Sequence, residues 1–316
     1  MSFPAQRDGV IHLTEGGTET EIMYKFGHEL PEFAAFPLLD KPDAAAALRG
    51  MYQRYLDVCA RHGLAALMAG LDYRLSPDWG ARLGYSPEGL AEMQARCIAF
   101  LREVAAPYAG QIPEIRIAGG LGPRGDAYGT GGGITEAEAE DYHAWQLGEL
   151  ARLGVDIVWA ATFNNVPEAV GVARAAHRLG LPLTISFTLT GEHRLRSGAS
   201  LKEAVEETDR LAGEAAPAFY GINCSHPLEF APAIEPGDWF ARVRSLRPNA
   251  AKMDKVALCK IGHLEEGDPV ELGQMMGDLA RRHPHLDVFG GCCGSWESHL
   301  EEIARNLRAA RAPAPA

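Results

Sequence analysis

The sequence predicts an α/β protein folded as a single (β/α)8 TIM-type barrel. Three observations carry this: short β-branched apolar runs alternate with longer amphipathic stretches, eight such runs occur, and no linker interrupts them. At 316 residues the chain is long enough for two ordinary domains, yet close to one barrel of roughly 250 residues. A doubly wound open sheet is the competing arrangement, and an unbroken series of eight units fits it less well. With 47% hydrophobic and 23% charged residues the chain can bury a sizeable core, which excludes disordered and fibrous classes.

Taken in order, strands are expected at Val10–Gly17, Leu64–Gly70, Ile115–Gly120, Val155–Thr162, Leu181–Thr188, Phe219–Ser225, Lys255–Gly262 and Leu286–Gly291. The fourth, fifth, sixth and eighth are the clearest. Helix starts are marked by Thr135-Glu136-Ala137-Glu138 and Ser200-Leu201-Lys202-Glu203, two capping boxes in which hydroxyl and carboxylate satisfy orphan backbone donors. Gly154 and Gly180 close helices just before strands, where a left-handed residue turns the chain inward. The first two units are the longest, so extra material falls at Tyr24–Asp43 and Leu71–Pro87. The barrel domain is expected over residues 1–308, with a disordered tail at 309–316.

Forty-two acidic residues against thirty basic ones give a formal charge of -12. Phosphate contacts need clustered Lys and Arg, so no nucleic-acid partner is expected. The longest apolar runs, such as Val155–Ala161, fall short of the roughly 18 residues of a membrane span, so no membrane partner is expected either. The start, MSFPAQRDGVIH, lacks a basic stretch followed by an apolar one, which makes the cytoplasm the expected compartment. The long early insertions are compatible with a homo-oligomer contact.

In a barrel, function sits where strands end. The sixth strand ends in Gly221-Ile222-Asn223-Cys224-Ser225 and the eighth in Gly290-Gly291-Cys292-Cys293-Gly294. One strand separates these ends, a backbone spacing of about 10 Å that inward side chains bridge. Cys224, Cys292 and Cys293 therefore converge as candidate ligands of Zn2+, and no CxxC or HExxH offers a self-contained alternative. Three protein ligands leave a fourth position open, as in catalytic sites, and a substrate thiol suits it. Three thiolates on Zn2+ sum to a charge of -1 and a fourth makes -2, so the bound sulfur loses its proton yet stays electron-rich. A methyl group on a sulfonium or betaine-type cation is a fitting electrophile, because the donor leaves as a neutral molecule.

Other readings of these residues stay open at this level. The paired cysteines could be two buried small hydrophobes or a vicinal disulfide, although the flanking glycines leave both thiols accessible. A non-catalytic zinc site would need a fourth ligand, for which His226 and His263 lie nearest; His226 could instead meet a substrate carboxylate. Cys59, Cys97 and Cys259 fall at core positions. Gly120-Leu121-Gly122-Pro123-Arg124-Gly125 formally satisfies GxGxxG, but Pro123 removes a donor and no helix follows to hold a pyrophosphate. That segment is assigned to the barrel mouth, with Gly129–Gly133 as a loop beyond it.

These residues carry a resemblance that spans nearly the whole chain. Glu15-Gly16-Gly17 with Thr20-Glu21, Gly119–Gly125, Ser186–Leu201, GINCS at 221–225 and above all GGCCGS at 290–295 resemble the zinc-dependent homocysteine S-methyltransferase family. The resemblance implies a barrel enzyme using a small-molecule thiol acceptor and a small-molecule methyl donor. Its zinc ligands match Cys224, Cys292 and Cys293, whose role is catalytic through thiolate activation, and Asn223 would support them. Substrate contacts are expected at Glu15, Gly16, Gly17, Glu19, Tyr73 and Asn223. Departures are equally specific. Family members usually carry a Glu at the end of strand four, in a stretch like FETIP, that receives the amino group of homocysteine; Ala161 stands there in this chain. The family's DGG is Glu15-Gly16-Gly17, and its following Met-Gly is Thr18-Glu19, so Glu15 or Glu19 is a candidate replacement. Asp72 and Arg74 are further additions around Tyr73. Homocysteine is the first expectation for the acceptor, and a thiol or selenol without the α-amino group the alternative.

Overall fold

The structure, a computed structural model, describes residues 3–128, 133–253 and 262–311. Eight parallel strands close into a barrel in sequence order: β1 (His12–Leu13), β2 (Ala65–Met68), β3 (Ile115–Leu121), β4 (Ile157–Phe163), β5 (Leu183–Phe187), β6 (Phe219–Asn223), β7 (Val243–Arg247) and β8 (Val288–Phe289). Closure is direct, with His12 in register with Val288 on one side and Ala65 on the other. β1 and β8 pair over only two residues each, far less than the expected Val10–Gly17 and Leu286–Gly291, because the ends of those runs leave the ladder to build the mouth.

The expectation for strand seven is corrected. β7 is Val243-Arg244-Ser245-Leu246-Arg247, in register with Tyr220 and Val288. Arginines interrupt its apolar pattern, yet both are neutralised indoors, Arg244 by Asp287 at 2.6 Å and Arg247 by Glu15. Residues 255–261 of the expected Lys255–Gly262 strand, including Cys259, lie outside the described residues, as do 129–132 of the glycine-rich loop.

The longer helices wrap the barrel: α2 (Pro42–His62), α4 (Pro87–Ala105), α5 (Glu136–Leu153), α6 (Val166–Arg178), α7 (Leu201–Ala212), α9 (Pro269–Arg282) and α10 (Glu297–Arg311). Both expected capping boxes form, at Thr135 with Glu138 and at Ser200 with Glu203, and Gly154 closes α5 in the left-handed region. Shorter helices α1 (Thr18–Tyr24), α3 (Pro77–Arg82) and α8 (Pro227–Phe230) stand in the loops after strands one, two and six. The early insertions fold as 3-10 turns at Pro31–Phe33 and Phe36–Asp40 and as α3. α10 runs through Ala309 to Arg311, past the expected start of the tail; 312–316 lie outside the described residues. Among the described residues no helix is long and apolar enough to cross a membrane.

Strand side chains divide by parity. Ala66, Met68, Val158 and Tyr220 pack outward into the large core under the helices, while Leu67, Ala69, Ala118, Ile157, Phe219 and Val288 form a second cluster inside the barrel. Phe3 packs against that inner cluster and on His12 at 5.1 Å, and Arg244 Nη1 donates to Pro4 O, so the chain's start covers the N-terminal end of the strands. The opposite end, where the strands finish, stays open as a cavity of about 710 Å³.

Candidate metal centre

β6 ends at Asn223, and Cys224 follows with φ 54°, a left-handed conformation that costs free energy for any residue bearing a Cβ. Its amide donates to Arg247 O at 3.1 Å, which holds the turn and aims the thiol into the mouth. The loop after β8 is tied on both flanks. Cys292 N donates to Pro248 O at 2.8 Å, Ala250 N donates to Cys293 O at 3.1 Å, and Gly291 N donates to Glu15 O at 3.2 Å. Backbone bonds to the ends of β1 and β7 thus fix the two adjacent cysteines before any ligand arrives.

The three Sγ atoms lie within 4.8 Å of one another, and Cys224 Sγ is 3.8 Å from Cys293 Sγ. Ligands at a Zn–S distance of 2.3 Å on a tetrahedron are separated by about 3.8 Å, so the donor set and its spacing fit that ion. The thiols themselves point the same way. Contact with Cys224 and burial push the Cys292 and Cys293 thiols above their ordinary range, so these sulfurs stay protonated until a cation compensates their charge. Cys59 and Cys97, by contrast, are fully buried on α2 and α4 as core residues.

Asn223 reaches the cluster from below. Its Oδ1 accepts from Thr162 N at 2.8 Å, which orients the amide so that Nδ2 faces Cys292 Sγ at 4.0 Å. Thr162 is itself left-handed, with φ 59°, and its hydroxyl meets Tyr73 OH at 2.5 Å. Tyr73 therefore joins the cavity wall with its ring fixed by the end of β4.

The remaining expected contacts separate into structural and open groups. Gly16 and Gly17 line the mouth, but their need for glycine comes from packing: a Cβ would stand 2.4 Å from Ser295 O at Gly16 and 2.5 Å from Cys292 O at Gly17. Glu15 is used by the fold, accepting from Ala69 N at 2.9 Å and from Arg247 Nη2. Asp72 is likewise turned away from solvent, taking Gly120 N at 2.9 Å and Gln94 Nε2 at 2.7 Å. Arg74 lines the cavity, with its guanidinium 4.2 Å from the Trp79 ring centre. Glu19, in the first turn of α1, lines the cavity half-buried. Burial first, then the nearby Cys224 and Glu15, push its carboxyl up to about 7.

Neither histidine joins the sulfurs. His226 Nδ1 accepts from Leu228 N at 3.2 Å as the cap of α8, and His263 Nε2 lies 2.8 Å from Glu265 Oε1. The GxGxxG segment does form part of the mouth: Glu168 takes Arg124 N at 2.7 Å, and Asn164 Nδ2 donates to Ala127 O at 2.8 Å, which sets Tyr128 in the cavity wall. Sequence reasoning missed Arg247, Asn249 and Trp159, which also line the cavity. Two of them follow from strand seven's position, since Arg247 ends it and Asn249 comes two residues later.

The sequence model of the family described as Homocysteine S-methyltransferase matches residues 12–307. The chain belongs to the homocysteine S-methyltransferase family. Membership makes it a methyltransferase, and the match spans every strand of the barrel. Among solved structures it is similar to the homocysteine methyltransferase MmuM from Escherichia coli. The metallated form has a TM-score of 0.71 at 18% identity, covering 95% of this chain and 96% of that one. The oxidized form gives 0.71 at 19% identity, covering 94% and 95%. The apo form gives 0.64 at 19%, covering 96% and 97%. No curated protein matches the sequence significantly. Identities this low establish a shared barrel; Ala161, at the end of its fourth strand, is a buried residue of the cavity wall.

Proposed function

We propose that this enzyme transfers a methyl group from a small sulfonium or betaine-type donor to the thiol of homocysteine, with one zinc ion held by Cys224, Cys292 and Cys293. The observation that supports this is the approach of the three sulfurs to within 4.8 Å at an open barrel mouth. When bound, zinc supplies a position at which the acceptor thiol loses its proton at neutral pH.

The chain's own residues supply placement and field. Asn223 directs an N–H at Cys292 Sγ, which stabilises negative charge on that sulfur. The Glu15–Arg247 pair holds the ends of β1 and β7 together around the cluster. Tyr73 and Tyr128 flank the sulfurs and keep water from the reacting carbon. In the transfer, the acceptor sulfur forms a bond to the methyl carbon as the donor's bond to that carbon breaks. The electron pair of the broken bond stays on the donor, which leaves neutral. An anionic cluster favours the cationic donor and has no such hold on the neutral product.

A second reading, a different thiol or selenol acceptor, is favoured by Ala161. Metal analysis of the purified, reduced protein beside Cys224→Ala tests the first reading, together with methyl transfer to a panel of thiols. The expected result is one zinc per chain, lost in the variant and removable by chelator with the fold intact, and methionine formed from homocysteine. A folded, reduced protein that takes up no zinc sinks the mechanism.

A further inference from the structure

Among the described residues, three charged side chains of the cavity wall are buried: Glu15, Arg74 and Arg247. Arg247 and Glu15 neutralise each other. Arg74, 8% exposed, has no carboxylate within ion-pair distance among the described residues. Asp126, next to the Gly125 carbonyl that Arg74 bonds, turns its Oδ1 to Tyr128 N at 3.0 Å instead. The guanidinium is nonetheless fixed. Nη1 donates to Gly125 O at 3.0 Å, and Cζ lies 4.2 Å from the Trp79 ring centre and 5.1 Å from that of Tyr73. Nε is sealed in the wall without a partner, whereas Nη2 is neither bonded nor sealed, so Nη2 is the atom a ligand in the cavity reaches. A buried charge without a counter-ion is costly, and one held this firmly cannot relieve the cost by moving. The missing anion has to arrive with a ligand.

The position of Arg74 says which ligand. It follows β2, and β2 and β6 are opposite members of the eight-strand ring, so Arg74 stands across the mouth from Cys224. Tyr73 lies between, its hydroxyl on Thr162 and its phenol within the field of Arg74, Cys224 and Cys292. A methyl group passes along a line from the atom it leaves to the atom that receives it. With the acceptor sulfur at the cysteines, the departing molecule therefore extends toward the β2 side.

We infer that Arg74 decides which methyl donors the mouth admits: it repels a bare onium cation and accepts one that brings its own carboxylate to Nη2. This rests on the reading of the site as a methyltransferase that uses cationic donors. The anionic sulfurs attract any small cation and give no choice among them. Arg74 supplies the choice by the sign of its charge, since a donor without an anion leaves two cations facing each other in a buried pocket, while a zwitterion places opposite charges at both ends. A guanidinium already stacked on an indole ring meets a carboxylate with little further loss of freedom. Arg74 is thus a specificity-determining residue, acting on the donor's far end and not on the reacting carbon.

The test is calorimetric titration of the zinc-loaded full chain, without acceptor, with dimethylsulfonioacetate and with trimethylsulfonium, two sulfonium methyl donors that differ by one carboxylate. Wild-type protein is expected to bind the zwitterion about 10- to 100-fold more tightly. Arg74→Met should bring that ratio below about threefold from both ends, weakening the zwitterion and tightening trimethylsulfonium. Arg74→Lys, which keeps the charge, should still bind trimethylsulfonium poorly. Zinc content and thermal unfolding serve as controls. Equal wild-type affinities, binding of neither sulfonium, or an Arg74→Met protein that weakens both alike overturns the inference, the last because a merely structural arginine would act that way. The wild-type comparison and Arg74→Lys decide the matter if Arg74→Met fails to fold. A protein that shows the Arg74-dependent preference yet methylates no thiol sinks the proposed function and keeps the subsite. Methyl transfer from both sulfoniums with equal KM keeps the function and sinks the subsite.

Discussion

Arg247 donates to Glu15 across the barrel mouth, joining the last residue of β7 to the loop that follows β1. Their side chains are 5% and 7% exposed, so neither charge has water to fall back on. Removing one partner of a buried pair strands the other, at a cost of about 3–5 kcal/mol, whereas removing both is far milder. Arg247→Met is therefore expected to lower the stability of the metal-free protein by about 3 kcal/mol, and Glu15→Gln with Arg247→Met to recover part of that loss. Urea denaturation of the two single variants and the double variant measures the coupling. Losses that simply add would show that the two charges act independently.

Gly17 at the mouth and Gly148 in α5 should respond oppositely to alanine. At Gly17 a Cβ would meet Cys292 O at 2.5 Å, and a backbone atom tied into the cysteine loop cannot swing aside. Gly17→Ala is expected to cost about 1–3 kcal/mol and to weaken metal binding as the loop shifts. Gly148, inside α5, has open space where a methyl group would stand, with nothing within 4 Å, so Gly148→Ala should gain about 0.5–1 kcal/mol through the unfolded chain. Thermal unfolding of both variants decides it, and a destabilised Gly148→Ala would contradict the packing described.

Asn223→Asp separates the support of the metal centre from the support of the backbone. The substitution keeps an oxygen to accept Thr162 N at 2.8 Å but removes the N–H that faces Cys292 Sγ and puts a negative charge beside the sulfurs. Zinc affinity is expected to fall about 10- to 100-fold, the usual effect of losing a partner of a ligand. Competition against a chelator of known affinity gives the number. Unchanged affinity would remove Asn223 from the centre.

Why some of this was legible in the sequence follows from distance along the chain. The three sulfurs could be placed because Cys224 and the Cys292-Cys293 pair stand at strand ends, and Asn223 because it is adjacent to one of them. Strand seven was obscured because apolarity is a poor guide where a strand points arginines inward. Arg244 and Arg247 are offset by Asp287 and Glu15, partners that no local pattern reveals. The same distance hid the roles around the pocket. Asp72 reads as a new pocket group beside Tyr73, yet it bonds Gln94 and Gly120, and at Gly17, which lines the cavity, the need for glycine comes from Cys292 O. Glu15 and Glu19 were equal candidates for a replacement carboxylate, and the bonds that Glu15 takes from Ala69 N and Arg247 distinguish them.

Glu19 leaves a signature in the pH dependence of stability. Its carboxyl is pushed up to about 7 in the folded protein, mainly by burial and then by Cys224 and Glu15, against about 4.3 when unfolded. For an acid whose folded pKa is raised, the ionised form is disfavoured by folding. The destabilisation is full above pH 7, shrinks as pH falls, and is gone below the unfolded value. Glu19→Gln cannot ionise, so the reduced, metal-free variant should be more stable than wild type at pH 8 by up to about 3 kcal/mol, with the gap closing toward pH 4. Comparison within the pair removes the other titrations, because His226, held down to about 4 by burial and Lys252, weakens both proteins alike on acidification. Urea midpoints at pH 8, 6 and 4.5 read the effect directly. A gap that widens as pH falls would mean that Glu19 is stabilised as a carboxylate by the empty pocket, and would require a partner for it that the fold does not show.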